Sequence, residues 1–278
     1  MGAIIKAFSL SAENSGFSYL RSGTLAVKGC LEEAQPGIQE LGLLISTGVY
    51  LDRHIHEPAF ASLIQGNLMK SFGAELAGTF SFDLHSGGGG VVMALSILNG
   101  FVESGKTGLG AVVAGDAEPF DGSAGALMVS KGTSEEGFRI FSQDAYTQYS
   151  SEYRSYSSYS GNTLQLINKQ GSEYLNHCLL CMNKSMDRFL SESALAADEI
   201  DLIIPSQSPA GFASALADLY GHTRVVVLNE EHNCYSAGLI KALVQAQSTG
   251  LFRKSRKILF INVGPGITVD LALYLNPS

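Results

Sequence analysis

The sequence predicts an α/β fold with helices packed on both faces of its sheets. Short apolar runs typical of buried strands alternate with segments whose apolar residues recur at helical spacing, as in 41–46 followed by 58–72. The same alternation returns in the second half of the chain, which indicates an internal duplication. With 278 residues, of which 45% are hydrophobic, the chain can bury a large core. We therefore predict two similar halves, residues 1–160 and residues 161–278.

The predicted elements of the first half come from apolar β-branched runs and from helical spacing. Strands are predicted at 3–10, 41–46, 79–84, 109–114, 124–130 and 138–141. Helices are predicted at 23–33, at 58–72, where Pro58 suits the first turn, and at 89–104.

The second half repeats this order after a change of composition. Residues 145–161 hold five tyrosines among six serines, which favours a surface loop between the halves or, as the alternative, a tyrosine-lined interface or pocket. Helices are then predicted at 164–192, 209–220 and 235–248, and strands at 201–204, 223–228, 257–263 and 268–275.

Charge and cysteine content exclude several classes of protein. A net charge of −8 and a pI near 5.2 argue against a nucleic-acid binder, and no apolar run reaches the roughly 18 residues of a membrane helix. Four cysteines in a chain of this length favour a reducing cytoplasm, so we expect a cytoplasmic protein. Cys178 and Cys181 have CxxC spacing, but no second pair completes a zinc site, and helix packing is the favoured interpretation. His54 and His56 lack a third ligand, so neither a metal nor a cofactor is expected.

A glycine turn is the feature most suggestive of chemistry. Residues 82–95, Phe-Asp-Leu-His-Ser-Gly-Gly-Gly-Gly-Val-Val-Met-Ala-Leu, predict a strand, a tight turn and the start of an apolar helix. Such a turn presents either a nucleophile or backbone N–H groups for an oxyanion or a phosphate. The tip of this turn holds only glycine, so the reacting side chain is missing.

Six motifs in order resemble the ketoacyl-acyl-carrier-protein synthase III family. They are residues 82–95, 114–116, 122–126, 201–207, 232–238 and 263–267. The resemblance implies a thiolase-like fold, with two duplicated α-β-α-β-α halves that contain mixed five-stranded sheets. It also implies a dimer formed through a central strand and helix of the first half.

The catalysis of that family requires a cysteine, a histidine and an asparagine. The resemblance places these positions on Gly88, Ser206 and Asn233, so only the asparagine is retained. The family also uses a tryptophan and basic residues to hold coenzyme A, whereas this chain has no tryptophan and shorter segments there. The losses agree with one another, and the resemblance implies a catalytically degenerate member.

Other candidate groups have simpler interpretations. Ser86 is the only hydroxyl of the turn, but the adjacent His85 would point to the opposite face of a strand and would not serve it as a base. Cys234 is a second fallback nucleophile, outside the turn. The glycines of the turn could bind an oxyanion, with Gly88 and Gly266 as the ligand positions, but close packing of helix and strand is the favoured explanation.

The expected function is that of a non-catalytic subunit. It would pair with an active ketosynthase III-like subunit in fatty-acid, polyketide or other acyl-derived biosynthesis, with acyl carrier protein as a further partner. The residues expected at the interface are His54, Glu57, Phe60, Tyr149 and Tyr153. The alternatives are an active acyltransferase or thioesterase that uses Ser86, with Asn233 as its second group, and a homodimer that binds acyl ligands.

Overall fold

Two sheets form the framework of the molecule. The computed structural model describes residues 2–11, 18–34, 41–55, 57–133, 135–161, 163–228 and 234–277. Within these residues, no helix has the length and apolar character needed to cross a bilayer.

The first sheet has five strands in the order β1-β5-β4-β2-β3. They are β1 (Ala3–Leu10), β2 (Leu41–Ser46), β3 (Phe80–Asp83), β4 (Leu109–Gly115) and β5 (Ala124–Lys131). The strand β2 lies parallel to both β3 and β4, whereas β5 is antiparallel to β4 and β1. The helices of this half are α1 (Tyr19–Ala34), α2 (Phe60–Phe72) and α3 (Gly90–Glu103).

The second sheet repeats the topology of the first. It contains β6 (Gly137–Ala145), β9 (Leu202–Pro205), β10 (Lys257–Gly264) and β11 (Thr268–Leu275), in the order β6-β11-β10-β9. The predicted strand at 223–228 contributes a single parallel bridge, Ile203 with Val225, beyond β9. This bridge stands where β3 stands in the first sheet, so the strand order of the two halves matches. The helices of this half are α4 (Tyr174–Ser193), α5 (Phe212–Tyr220), α6 (Gly238–Ser248) and α7 (Leu251–Lys254).

The core is arranged in five layers. The largest apolar cluster joins α3 and α6 to the inner faces of both sheets, which sandwich these two helices. A second cluster packs α1 and α2 on the outer face of the first sheet, and a third packs α4 and α5 on the outer face of the second. Because α3 lies between two sheets, it is apolar on nearly every side. This α-β-α-β-α order confirms the predicted thiolase-like architecture.

The tyrosine-rich segment is the main correction to the sequence-based prediction. It is not a loop: β7 (Tyr153–Ser160) pairs antiparallel with β8 (Thr163–Gln170), and these strands form a hairpin. The predicted helix at 164–192 therefore begins only at Tyr174. The hairpin depends on its packing partners, because Tyr153 and Leu166 pack against the residues that follow β2. Its stability is thus tertiary, and local propensity did not reveal it.

Helix starts also differ from prediction, for identifiable reasons. The carboxylate of Asp83 accepts hydrogen bonds from the N–H groups of Phe60 and Ala61, at 2.7 and 2.8 Å, so α2 begins there and not at Pro58. The helix α1 begins at Tyr19, whose buried ring stacks on Phe60. The division of the chain at residue 160 stays a prediction; β6, which precedes it, belongs to the second sheet.

One buried carboxylate ties three segments together. Asp116, at the end of β4, accepts hydrogen bonds from the N–H groups of Val49 and Tyr50, at 2.9 Å each, and of Ser236, at 2.7 Å. Burial raises the pKa of Asp116, and these three N–H groups act in the opposite direction. The segments after β2, after β4 and before α6 therefore converge on one side chain.

Removing this carboxylate should destabilise the whole fold. We expect Asp116→Ala to lower the free energy of unfolding by about 3 kcal/mol, because three buried N–H groups lose their acceptor. Urea unfolding measures this loss. Asp218→Ala is the matched control, since the side chain of Asp218 is 74% exposed. Equal stability of the two variants would show that the segments converge without the carboxylate.

Candidate functional site

The glycine turn lies between β3 and α3, and close packing explains most of its glycines. Gly87 has a φ of +51°, and a Cβ there would lie 2.9 Å from Cδ of Pro265. A Cβ on Gly89 would lie 2.5 Å from Oδ2 of Asp270. The turn therefore packs closely against the second sheet and against the loop that joins β10 to β11.

Gly88 is the exception in this turn. A Cβ on Gly88 would have its nearest neighbours at 3.6 Å, the carbonyl oxygen of Val263 and Cζ of Tyr235, which are ordinary contacts. Its φ is not among the positive values found elsewhere in the chain. Neither backbone nor packing therefore requires glycine at the position where the resemblance expects the nucleophile.

The ring of Tyr235 faces Gly88 and belongs to a group of packed aromatic side chains. We call Tyr50, Phe120, Tyr153 and Tyr235 the aromatic cluster. The ring centroids of Tyr50 and Phe120 are 4.5 Å apart, and Tyr235 lies 5.4 Å from Phe120 and 5.5 Å from Tyr50. The hydroxyl groups of Tyr50 and Tyr153 form a hydrogen bond of 2.9 Å. Sequence reasoning missed Tyr50, Phe120 and Tyr235; Tyr235, beside Asn233 in the asparagine motif, was the available signal.

A buried polar pair supports the turn from behind. The side-chain amide of Asn262 donates to the carbonyl of Gly88 at 2.7 Å, and its oxygen accepts from the N–H groups of Gly89 and Val263 at 3.1 Å each. Asn262 pairs across the sheet with Asp270, and both side chains are buried. Burial raises the pKa of Asp270 to about 7. The side chain of Asn262 therefore holds the peptide groups that flank Gly88, and Asp270 packs beside it.

The hydroxyl group of Ser206 forms hydrogen bonds with the backbone. It lies at the end of β9, where its hydroxyl accepts from the N–H of Val263 at 3.3 Å and donates to the carbonyl of Ser208 at 3.2 Å. Gly88 and Ser206 therefore both lie close to Val263, Gly88 near its carbonyl oxygen and Ser206 at its N–H group. His232 and Asn233 lie outside the described residues.

Neither fallback nucleophile is activated. Burial raises the pKa of the Cys234 thiol, which disfavours the thiolate. Within the described part of the chain, no hydrogen bond joins the hydroxyl of Ser86 to a base. His85 lines a cavity on the outer side of the turn.

The predicted interface residues lie in different surroundings. Phe60 is fully buried and stacks on Tyr19, with ring centroids 5.6 Å apart, so its assignment to an interface was wrong: the first half needs it in its core. Tyr149 stacks on His177 at 4.2 Å, and Tyr153 belongs to the aromatic cluster. Glu57 is exposed and His54 is half-buried.

The remaining candidates are Gly266 and the metal-like residues. Gly266 lies in the loop between β10 and β11, with a φ of +125°. Cys178 and Cys181 are buried in the core of the second half, and His56 is outside the described residues. The described residues contain no group of three histidine, cysteine, aspartate or glutamate side chains arranged to hold a metal ion.

This chain is similar in sequence and in structure to known synthases. No protein-family model matches the chain. The beta-ketoacyl-[acyl-carrier-protein] synthase III of Anaplasma marginale is 25% identical over 272 residues, which cover 90% of this chain and 82% of the relative. The crystal structure of 3-oxoacyl-[acyl-carrier-protein] synthase III from Aquifex aeolicus superposes with a TM-score of 0.80 and covers 99% of this chain and all of that one, at 20% identity.

The chain is a ketoacyl synthase III-like protein of the thiolase fold. The OleA protein of Xanthomonas campestris has the same fold, with a TM-score of 0.81 at 16% identity over 99% of this chain and 98% of that one. That Gly88 and Ser206 stand at the cysteine and histidine positions of this synthase III-like protein stays a prediction of the sequence motifs.

The two central glycines should respond differently to the same substitution. We expect Gly89→Ala to lower the free energy of unfolding by about 2 kcal/mol, because the new methyl group would collide with Asn262 and Asp270. We expect Gly88→Ala to stay within about 1 kcal/mol of the wild type, since its methyl group meets only ordinary contacts. Chemical denaturation of both variants measures the difference. A reversed order would contradict the described packing.

Asp270 should make stability depend on pH. Its pKa of about 7 lies above the 3.8 of an ordinary aspartate, so the folded state keeps a proton that the unfolded chain releases between these values. The free energy of unfolding therefore falls as pH rises from 4 to 7 and is level above 7. The variant Asp270→Asn cannot titrate at this position, so its free energy of unfolding lacks this dependence on pH. The difference in free energy of unfolding, variant minus wild type, should therefore rise by up to about 4 kcal/mol between pH 4 and pH 8.

Urea unfolding across this pH range measures that difference. Asp218→Asn, on the exposed surface, is the control and should follow the wild-type curve. If Asp270→Asn also runs parallel to the wild type, Asp270 does not titrate in this interval.

Proposed function

We propose that this protein is a non-catalytic subunit that pairs with an active ketoacyl synthase III-like subunit in acyl condensation of the fatty-acid or polyketide type. The observation that carries the proposal is Gly88: it has room for a Cβ atom and no structural need for glycine, yet it supplies no nucleophile. The ring of Tyr235 faces it. An acyl thioester would find no thiol at this position.

The second missing group supports the same function. Ser206 stands at the histidine position, and its hydroxyl is engaged with backbone groups on both sides. The buried Cys234 does not replace the lost thiol, because its pKa is raised. A retained fold without these two reacting groups is what we expect of a subunit that acts through its partner.

An exposed strand edge supports pairing with another chain. On its sheet side β3 pairs with β2, and within the described residues no strand covers its other edge. Phe80 is 59% exposed on this strand, and Phe82 packs beside it at 5.5 Å. Exposed edges with large apolar side chains favour strand pairing between chains. We propose that β3 joins the corresponding strand of the active subunit, with a second copy of this chain as the alternative and acyl carrier protein as a transient partner.

Co-expression with each ketoacyl synthase III-like protein encoded beside the gene tests this pairing. We expect a stable complex that contains one copy of each chain. Phe80→Lys should weaken the complex at least tenfold, because it buries a charge at the strand edge. Leu219→Lys is the matched control, since Leu219 is 58% exposed on α5, and it should leave the complex intact.

Two results would overturn the proposal. One is a chain that stays monomeric and never co-purifies with an active synthase. The other is a persistent acyl adduct on Ser86 or Cys234 after incubation with acyl-carrier-protein thioesters, which intact-mass measurement detects. The adduct would establish catalysis by this chain itself.

A further inference from the structure

A cavity lies beside the aromatic cluster, and Gly88 is not among its lining residues. We call it the outer cavity; its volume is about 350 Å³, within the range of small-molecule sites. Its walls are the segment after β2, the side chain of His85 and the hairpin of β7 and β8. Tyr50 lines it and also contacts Tyr235, whose ring faces Gly88.

The lining has the chemistry of an anion site. Two imidazoles, of His54 and His85, and the hydroxyl groups of Ser155 and Ser157 face the same space. None of the described residues that line the cavity carries a carboxylate. Imidazole and hydroxyl groups donate hydrogen bonds to anionic oxygens, whereas the walls of Val49, Leu51, Ile55 and Leu166 suit an apolar body.

Charged side chains of both signs lie around the outer cavity. The ammonium group of Lys169 lies 5.6 Å from the ring centroid of Tyr156, which lines the cavity. The adjoining larger cavity contributes Arg53 together with the carboxylates of Asp52 and Glu118. Asp52 is already engaged, because it accepts the N–H of Leu20 at 2.8 Å. The chain as a whole has a net charge of −8, whereas the described lining of this cavity contains two imidazoles and no carboxylate.

The backbone holds His54 in place at a conformational cost. Arg53 and His54 have consecutive positive φ values, +51° and +54°, which side chains other than glycine rarely adopt. The turn is fixed by a hydrogen bond from the N–H of His54 to the carbonyl of Leu51, at 3.1 Å. Strained backbone of this kind is concentrated at binding sites, where the strain positions a functional group.

We propose that the outer cavity binds a small organic anion, namely a carboxylate or a phosphate monoester on a compact apolar body. His54 and His85 contact the anionic oxygens together with Ser155 and Ser157, and the apolar walls contact the body of the ligand. The described residues that line the cavity all belong to this chain, so binding can be tested on the isolated protein.

Calorimetric titration with four probes tests the proposal. Benzoate and phenyl phosphate test a carboxylate and a phosphate monoester on an apolar ring. Inorganic phosphate tests the anionic group without the ring, and benzyl alcohol tests the ring without a charge. We expect saturable binding of benzoate or phenyl phosphate, and the stronger of the two identifies the head group. Inorganic phosphate and benzyl alcohol should each bind at least tenfold more weakly. Equal binding of benzyl alcohol, or no binding of either organic anion, would overturn the proposal.

Substitutions locate the binding. Ser157→Asp places a negative charge in the cavity and should weaken anion binding at least tenfold, whereas the uncharged Ser157→Asn should change it less than threefold. Both lie at an exposed position of the hairpin, so folding is preserved and thermal unfolding checks it. His54→Gln should weaken binding about fivefold, and His222→Gln, at an exposed histidine of the second half, should leave it unchanged. Equal affinities of Ser157→Asp and Ser157→Asn would exclude this cavity.

Discussion

The candidate site depends on a single buried carboxylate. Asp116 accepts N–H groups from the segment after β2 and from the segment before α6, so it fixes parts of both halves of the chain at one point. Tyr50 and Tyr235, both members of the aromatic cluster, belong to these two segments. A buried carboxyl group is stable only when hydrogen bonds satisfy its oxygens. The geometry of the aromatic cluster thus follows from the need to satisfy Asp116.

The glycine turn is enclosed from two directions by side chains of different character. The ring of Tyr235 faces Gly88, and the side chain of Asn262 hydrogen-bonds to the peptide groups of the turn. Gly88 is buried as a result. These contacts stabilise the turn, and the proposed non-catalytic role is consistent with them.

Much of the fold could be predicted because its signals are local. Strands such as β1, β2 and β11 have continuous apolar runs with clear ends, and their bounds were predicted correctly. The hairpin of β7 and β8 could not be predicted in this way, since serine and tyrosine give it no apolar alternation. It forms because Tyr153 and Leu166 find partners that are distant in the chain. Phe60 failed as an interface residue for a similar reason: the sequence shows an aromatic residue near a loop, but not the ring of Tyr19 that covers it.

The sequence alone determined the fold class and the family resemblance, and it predicted the absence of two reacting groups, because these depend on residue identity and order. Only the tertiary structure decided which side chains surround Gly88. Tyr235, which faces Gly88, and Asn262, which hydrogen-bonds to the turn, both lie well over a hundred residues from Gly88 in the chain. Contacts between such distant residues are fixed by the packing of the two halves and leave no local signal in the sequence.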